Sequence, residues 1–245
     1  MRLWLRAKAL RQFENCPYRV CVDLNFLNWY KTFRGDAQTG CVWVIPNAAP
    51  AVAWLKDRET RYSPVRIIFA RRFIPERGTR VIAEAIRSVL TRHPDVHVTF
   101  AGSGPEEAYL RSCFSAYPQV QICAYASPAA VQTHQCHDIA VVPSLASEGT
   151  TLSVVEAMSA GCAVVASAVG GITNQIVTGY NGVLVRPEAG CFASALDSLI
   201  RDHRLRLQIQ RRAWETATAA FTIGRWREQW MEVLDWVEHN RSGVR

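Results

Sequence analysis

Two glutamates lie eight positions apart around a segment suited to a phosphorylated ligand. An apolar run ends at Pro143, and Glu148 and Gly149 lead into a predicted helix that begins near Thr151 and carries Glu156. The first N–H groups of a helix lack intrahelical acceptors and lie at the positive end of the helix dipole, which favours a diphosphate there. Gly149 lets the backbone approach closely, and carboxylates accept hydrogen bonds from vicinal hydroxyls. The segment therefore matches the needs of a nucleotide sugar, with one carboxylate on each side of the diphosphate.

A basic group precedes this segment. Arg71, Arg72 and Arg77 follow a buried apolar run, and the planar guanidinium of arginine donates hydrogen bonds to phosphate in pairs. The formal net charge of the chain is +7, which favours an acidic partner and leaves nucleic acid, an anionic membrane surface and phosphorylated ligands open. A solvated surface cluster is the alternative interpretation of these three arginines.

Short apolar runs alternate with helical segments from about residue 65 onward. The predicted strands cover 65–70, 96–101, 120–124, 139–143, 163–168 and 182–185. Helices are predicted at 79–92, 106–115, from 127, at 151–160 and from about 191. Unbroken apolar strands that alternate with helices indicate an α/β domain, a doubly wound parallel sheet covered on both faces. Its strand-to-helix loops lie along one edge, where ligands of such sheets bind.

The two ends of the chain do not fit this alternation. Residues 1–60 contain two predicted strands, 20–27 and 41–45, and no second series of strand–helix–strand units is evident. Residues 58–63 are polar and indicate a linker. Residues 61–220 are predicted to form the Rossmann-like domain and 221–245 a C-terminal helix. Five apolar residues at helical spacing predict a packing surface on that helix: Phe221, Trp226, Trp230, Leu234 and Val237.

The two glutamates and several ordered segments resemble the retaining, two-Rossmann-domain (GT-B) glycosyltransferases of the family-4, glycogen-synthase-like group. Glu148 and Glu156, with Gly149 and Ala157-Met158, match the E-x7-E motif. Residues 70–78 resemble the segment G-R-L-x-x-x-K-G, in which Arg72 matches the arginine and Arg77 replaces the usual lysine. Further matches lie at 44–48, 101–105, 138–144, 159–171 and 179–185.

The resemblance implies a role for each matching residue in donor binding and catalysis. Glu148 would contact the hydroxyls of the donor sugar, Glu156 the ribose, and the amides from Thr150 to Leu152, including that of Thr151, the diphosphate. Arg72 and Arg77 would neutralise the departing nucleoside diphosphate. Base selection would involve the loops at Gly104 and Tyr125; a packing or surface aromatic is the alternative interpretation of Tyr125.

The resemblance also implies that a complete enzyme has an N-terminal domain with the acceptor site, a glycine-rich loop and a histidine-bearing loop. Residues 1–41 match none of these, and the first histidine is His93. We therefore expect a remnant of that domain at 1–60, completed by a missing domain or partner chain. The alternatives are a non-catalytic nucleotide-sugar-binding module or decayed fragment, and another doubly wound protein such as a GT-B epimerase.

Other partners and cofactors follow from the same sequence. We expect a nucleotide sugar donor, a glycan or lipid-linked acceptor, no nucleic acid, no cofactor and no metal. The eight cysteines are scattered without a CxxC pair, which indicates reduced thiols, and residues 134–138 lack a second metal-ligand pair. The N-terminal ten residues lack the apolar core of a signal peptide, so we expect a cytoplasmic protein. Basic residues could hold it at the inner face of a membrane: Arg2, Arg6, Lys8 and Arg11.

Overall fold

The computed structural model describes residues 3–34, 41–60, 62–124, 129–146 and 148–240. Its helices are α1 (Leu3–Glu14), α2 (Leu24–Arg34), α3 (Thr79–Arg92), α4 (Glu107–Cys113), α5 (Ala130–Gln135), α6 (Leu152–Ser159), α7 (Ala189–Arg201), α8 (His203–Ala220) and α9 (Ile223–Asn240). Its strands are β1 (Tyr18–Cys21), β2 (Cys41–Val44), β3 (Arg66–Ala70), β4 (His97–Ala101), β5 (Val120–Cys123), β6 (Ile139–Val142), β7 (Ala163–Ser167) and β8 (Val183–Val185).

Six of the strands form the predicted parallel sheet, in the order β5-β4-β3-β6-β7-β8. The chain builds outward from β3 through β4 and β5, then returns to the other side of β3 and continues through β6, β7 and β8. Strands β3 and β6 pair through Ile67 with Ile139 and Ile68 with Ala140. The order of the strands reverses between them, and the crevice at such a reversal is where ligands of doubly wound sheets bind.

Both faces of the sheet are buried. Successive residues of a strand point to opposite faces, so each strand contributes to two apolar clusters. Ile67 and Phe69 pack into one apolar cluster with α3 and α7. Ile68 and Ala70 pack into the other with α6 and α8. This arrangement explains why the strands are continuously apolar instead of alternating, and it confirms the doubly wound α/β class.

The N-terminal segment differs from the prediction. Tyr18–Cys21 is a strand, but Leu24–Arg34 is a helix, and β1 pairs in parallel with β2, so β1, α2 and β2 form one strand–helix–strand unit, the N-terminal unit. The predicted strand at 20–27 is therefore wrong beyond Cys21, and a second strand–helix–strand unit does exist. The physical reason is Asp23, whose Oδ1 accepts a hydrogen bond from the amide of Asn25 at 2.8 Å and starts the helix.

The predicted linker contains a buried side chain. Arg58 lies in a short 3₁₀ helix, Lys56–Glu59, and is only 2% exposed. Its guanidinium donates hydrogen bonds to the carbonyls of His137 at 2.7 Å, Gln135 at 2.9 Å and Ala160 at 3.0 Å. The segment before the sheet is thus fastened to the ends of α5 and α6.

Helix α9 returns to the N-terminal unit. Trp236 contacts the rings of Tyr18 and Trp43, with centroids 5.8 and 5.3 Å apart. Trp226 and Leu234, part of the predicted packing surface, are exposed. Of the predicted stripe, Phe221 packs against the apolar cluster that contains α6 and α8. Val233, outside the stripe, is the buried residue of α9, and Trp236 is itself 39% exposed despite its ring contacts.

Gly78 joins the loop after β3 to α3, and we expect Gly78→Ala to destabilise the protein by at least about 2 kcal/mol. Its φ is +73°, and a Cβ would lie 1.8 Å from the carbonyl oxygen of Pro143. Urea denaturation measures the free energy of unfolding. Gly190→Ala is the matched control, because a Cβ there meets nothing within 4 Å. Equal stability of the two variants would contradict the close approach of the loops after β3 and β6.

Candidate functional site

The candidate site lies at the carboxyl ends of β3 and β6, where the strand order reverses. Arg71 directly follows β3, and Ser144 and Glu148 lie in the loop after β6. Parallel pairing of the two strands brings these loops to the same edge of the sheet. Residues 73 positions or more apart in sequence therefore meet here.

Four side chains surround the Glu148 carboxylate. Arg71 donates from Nη2 to both carboxylate oxygens, each at 2.9 Å, and from Nη1 to the Ser144 hydroxyl at 2.6 Å. Ser144 donates to Oε1, and Arg77 forms an ion pair with the same oxygen. Thr151 donates from its hydroxyl to Oε2 at 2.9 Å. The carboxylate is thus held by two cations and two hydroxyls.

The electrostatics of Glu148 favour its ionised form. Burial opposes ionisation, but the hydrogen bond and charge of Arg71, assisted by the hydroxyls of Ser144 and Thr151, outweigh burial and lower the pKa to about 2. With Arg71 and Arg77 both positive, the cluster of three groups carries one net positive charge at neutral pH. Its two guanidinium groups can attract an anionic ligand, while the carboxylates of Glu156 and Asp23 add negative charge nearby.

Helix α6 begins beside this cluster. Thr151 is its N-cap residue, but the Thr151 hydroxyl donates to Glu148 instead of capping the helix, and the Thr151 amide donates to Oε1 of Gln175 at 2.9 Å. The next two amides, of Leu152 and Ser153, are at positions where a helix supplies no acceptor. Of the amides predicted to hold a diphosphate, that of Leu152 is therefore better placed than that of Thr151.

Glu156 lies one turn further along α6 and is half-buried. Burial raises the pKa of its carboxyl group, an effect that the nearby charge of Arg71 opposes. Within the described ranges, no hydrogen bond to the Glu156 carboxylate is formed by another side chain. The two glutamates of the motif therefore have opposite environments: Glu148 is saturated with donors and Glu156 lacks them.

The N-terminal unit contacts the loop that carries Glu148. The Thr150 hydroxyl donates to the Val22 carbonyl, and a Cβ on Gly149 would lie 2.5 Å from Cγ2 of Val22. Asn47 also donates from its side-chain amide to the Thr150 carbonyl, at 2.5 Å. Gly149 therefore allows a close approach of the N-terminal unit, and Thr150 is buried at the same contact. The predicted approach of the Gly149 backbone to a diphosphate stays a prediction.

The remaining predicted residues are less closely assembled. Arg72 is exposed, and Glu148 is paired with Arg71 and Arg77 among the described arginines. Gly104 has a φ of +151° and packs on the backbone of Phe73. A Cβ added to Gly104 would lie 2.5 Å from the carbonyl oxygen of Phe73. Tyr125 falls outside the described residues.

Sequence reasoning did not assign three side chains that the structure places in the site. Arg71 appeared only as part of the basic cluster, while Ser144 and Gln175 had no predicted role. Gln175 donates to the Thr151 carbonyl at 3.1 Å as well as accepting from its amide, so it clamps the start of α6. Two signals were available in the sequence: Arg71 directly follows a buried strand, and Ser144 ends the matching segment 138–144.

Two histidines of the segment 134–138 form hydrogen bonds with nearby backbone carbonyls. His134 and His137 bond through Nδ1 to the carbonyls of Ala130 and Thr133, at 2.8 and 2.9 Å. Burial lowers the pKa of His134 to about 4, so its ring is neutral. Across the described part of the chain, no group of three or more His, Cys, Asp or Glu side chains has an arrangement that could hold a metal ion. The helices described there include none long and apolar enough to cross a membrane.

Comparisons with known proteins identify the family of the chain. Residues 64–202, more than half of the chain, match the family model "Glycosyl transferases group 1". The sulfoquinovosyl transferase SQD2 of Arabidopsis thaliana is 30% identical over 176 residues, which cover 64% of this chain and 34% of that protein. The phosphatidyl-myo-inositol mannosyltransferase of Mycolicibacterium smegmatis is 29% identical over 177 residues, covering 70% and 46%.

A solved structure extends the likeness to the fold of nearly the whole chain. HepE of Anabaena, crystallised with UDP-glucose, superposes with a TM-score of 0.78 at 19% identity, covering 94% of this chain and 67% of that one. The chain spans less than half the length of the two curated relatives above. On the match of the family model, the chain belongs to the group 1 glycosyltransferases.

Proposed function

We propose that the chain supplies the donor-binding half of a retaining glycosyltransferase, which transfers a sugar from a nucleoside diphosphate sugar to a glycan or lipid-linked acceptor. One observation carries the proposal: the guanidinium groups of Arg71 and Arg77 meet at Glu148 beside the start of α6, at the reversal of strand order. The family match and the name of the UDP-glucose complex support the class of donor.

The chemistry of the site follows from its charges. Cleavage of the bond between sugar and diphosphate leaves negative charge on the diphosphate, and fixed positive groups stabilise that charge as it develops. Arg77 and the exposed Arg72 supply guanidinium groups, and Leu152 supplies an amide at the start of α6. Glu148 would accept hydrogen bonds from sugar hydroxyls and Glu156 from the ribose. Because these positive groups neutralise the diphosphate, the proposal includes neither metal nor cofactor.

The acceptor and the remaining part of the enzyme belong to the proposal as well. The names of two relatives include a phosphatidylinositol lipid: a phosphatidyl-myo-inositol mannosyltransferase and a phosphatidylinositol N-acetylglucosaminyltransferase subunit. These names support a lipid-linked acceptor. Further chain, covalent or separate, would complete the acceptor side against the N-terminal unit. Action at the cytoplasmic face of a membrane, through basic residues near the N-terminus, is consistent with such an acceptor.

A nucleotide-sugar-binding module without transfer is the second candidate. The observation that favours it is the saturation of Glu148, whose oxygens already accept from Arg71, Ser144, Arg77 and Thr151. A sugar hydroxyl must displace one of these donors before it can bind. An assay of sugar transfer by the completed enzyme separates the two candidates.

Calorimetric titration of the chain with UDP, GDP and ADP tests donor binding. We expect one of the three to bind, and Glu156→Ala and Arg72→Ala each to weaken it by roughly tenfold, the loss of about 1.4 kcal/mol expected for one ribose or phosphate contact. Arg204→Ala, on the exposed side of α8, is the control and should bind as the wild type does. Binding that neither site variant weakens would place the nucleotide elsewhere and contradict the assigned site.

A further inference from the structure

The two arginines that hold Glu148 differ in burial. The Arg71 side chain is 6% exposed and the Arg77 side chain 27%, while that of Glu148 is 9% exposed. Arg71 is also anchored beyond the carboxylate: its Nη1 donates to Ser144 at 2.6 Å, and its backbone amide donates to the Ala101 carbonyl at 3.0 Å. Arg71 is thus built into the edge of the sheet, whereas Arg77 reaches the carboxylate from the 3₁₀ turn Pro75–Arg77.

The Glu148 carboxylate has no acceptor position to spare. Two oxygens offer about four lone-pair positions. Oε1 accepts from Arg71, Ser144 and Arg77, and Oε2 accepts from Arg71 and Thr151. A ligand hydroxyl can bind only if one donor leaves. The donor that a diphosphate can draw away at the lowest cost is the most exposed cation, Arg77, since the diphosphate offers it equivalent charge and geometry.

When Arg77 leaves Glu148 for the diphosphate, the Glu148 carboxylate loses one of its two cations. A carboxylate this buried is costly to leave unpaired, and without a cation it would take up a proton or turn toward water. Arg71 prevents both, because its Nη2 contacts both oxygens at 2.9 Å. Resting on the proposed function above, we propose that Arg71 is a positioning residue, the fixed partner that keeps Glu148 ionised and oriented toward the donor sugar when Arg77 turns to the diphosphate.

The test begins with a property of the unliganded chain. The side-chain carboxyl ¹³C shift of Glu148 is followed against pH in the wild type, Arg71→Gln, Arg71→Lys and Arg72→Gln. Other charges facing the site are Arg77, Glu156 and, from the N-terminal unit, Asp23, whose Oδ2 lies 3.2 Å from where a Cβ on Gly149 would stand. All three remain in every variant. We expect the Glu148 midpoint to rise by about one pH unit or more in Arg71→Gln, less in Arg71→Lys, and to stay in place in Arg72→Gln.

The second measurement uses the nucleotide that binds in calorimetry and its commercial sugar conjugate, UDP-glucose, GDP-mannose or ADP-glucose. We expect Arg71→Gln to retain most of the affinity for the free diphosphate and to lose roughly tenfold in the additional affinity that the sugar confers, with partial rescue by Arg71→Lys. A purely structural role would lower the melting temperature without moving the carboxyl midpoint.

The outcomes separate this inference from the proposed function. A Glu148 midpoint that is unchanged in Arg71→Gln overturns the positioning role, whatever the nucleotide result. A shifted midpoint together with a sugar contribution equal to that of the wild type overturns it too, because Arg71 would then not act on sugar recognition. Wild-type chain that binds no diphosphate contradicts the proposed donor site instead, while the titration still decides whether Arg71 controls Glu148.

Discussion

Arg58→Ala is expected to lower the free energy of unfolding by about 3 kcal/mol or more. The guanidinium is buried and donates to the carbonyls of His137, Gln135 and Ala160, and Nη1 lies 3.8 Å from Oδ1 of Asp138. Alanine removes donors from three carbonyls at once and leaves a cavity. Urea denaturation followed by circular dichroism measures the loss.

Two further variants show which property of Arg58 matters. Arg58→Lys keeps the charge, but a single ammonium cannot reproduce the spread of the planar fork, so we expect it to recover only a minor part of the stability. Arg204→Ala, an exposed arginine on α8, should change stability by less than about 0.5 kcal/mol. If Arg58→Ala were as mild as Arg204→Ala, the segment at 56–59 would not be fastened to the domain as described.

Glu148→Gln and Glu156→Gln are expected to change stability in opposite directions. At neutral pH, Glu148→Gln should destabilise the protein by about 2 kcal/mol, because the buried Arg71 loses its counter-ion and faces a side-chain amide. Glu156→Gln should stabilise it slightly, because burial disfavours the charge that glutamine removes. Both should weaken binding of the nucleotide sugar, so Glu156→Gln separates a loss of binding from a loss of stability.

The dependence on pH distinguishes the two carboxyl groups further. The folded pKa of Glu148, about 2, lies below the usual glutamate value, so its contribution is present above that usual value and is lost as pH falls toward 2. The penalty from Glu156 has the opposite sign: it is present above its raised folded pKa and disappears as pH falls below the usual value. The difference in unfolding free energy between wild type and each variant should therefore shrink on acidification. A deficit of Glu148→Gln that is constant from pH 7 to pH 3 would contradict the ionised pair.

The sequence determined the sheet and its helices because a strand that is apolar along its whole length must be covered on both faces. Strands such as Ile139–Val142 need cover on both faces, and their alternation with amphipathic segments such as Thr79–Arg92 admits a parallel, doubly wound arrangement. The same local reasoning placed Glu148 and Gly149 in the loop before α6. The N-terminal unit was misjudged because the run from Val20 to Leu27 is mostly apolar, and the capping hydrogen bond to Asp23 divides it into strand and helix.

Only the tertiary structure decided which groups meet. Arg71 and Arg72 are adjacent in sequence and identical in type, so composition and spacing cannot separate them. The pleat of the backbone after β3 buries Arg71 against Glu148 and exposes Arg72, since successive side chains at a strand end point to opposite sides. The same holds for Arg58, whose polar surroundings in sequence indicate a linker, although its acceptors are carbonyls that lie about 80 and 100 positions further along the chain. Charge and motif are local properties of a sequence. The burial of a side chain and its hydrogen-bond partners depend on which strand ends the fold brings to the same edge of the sheet.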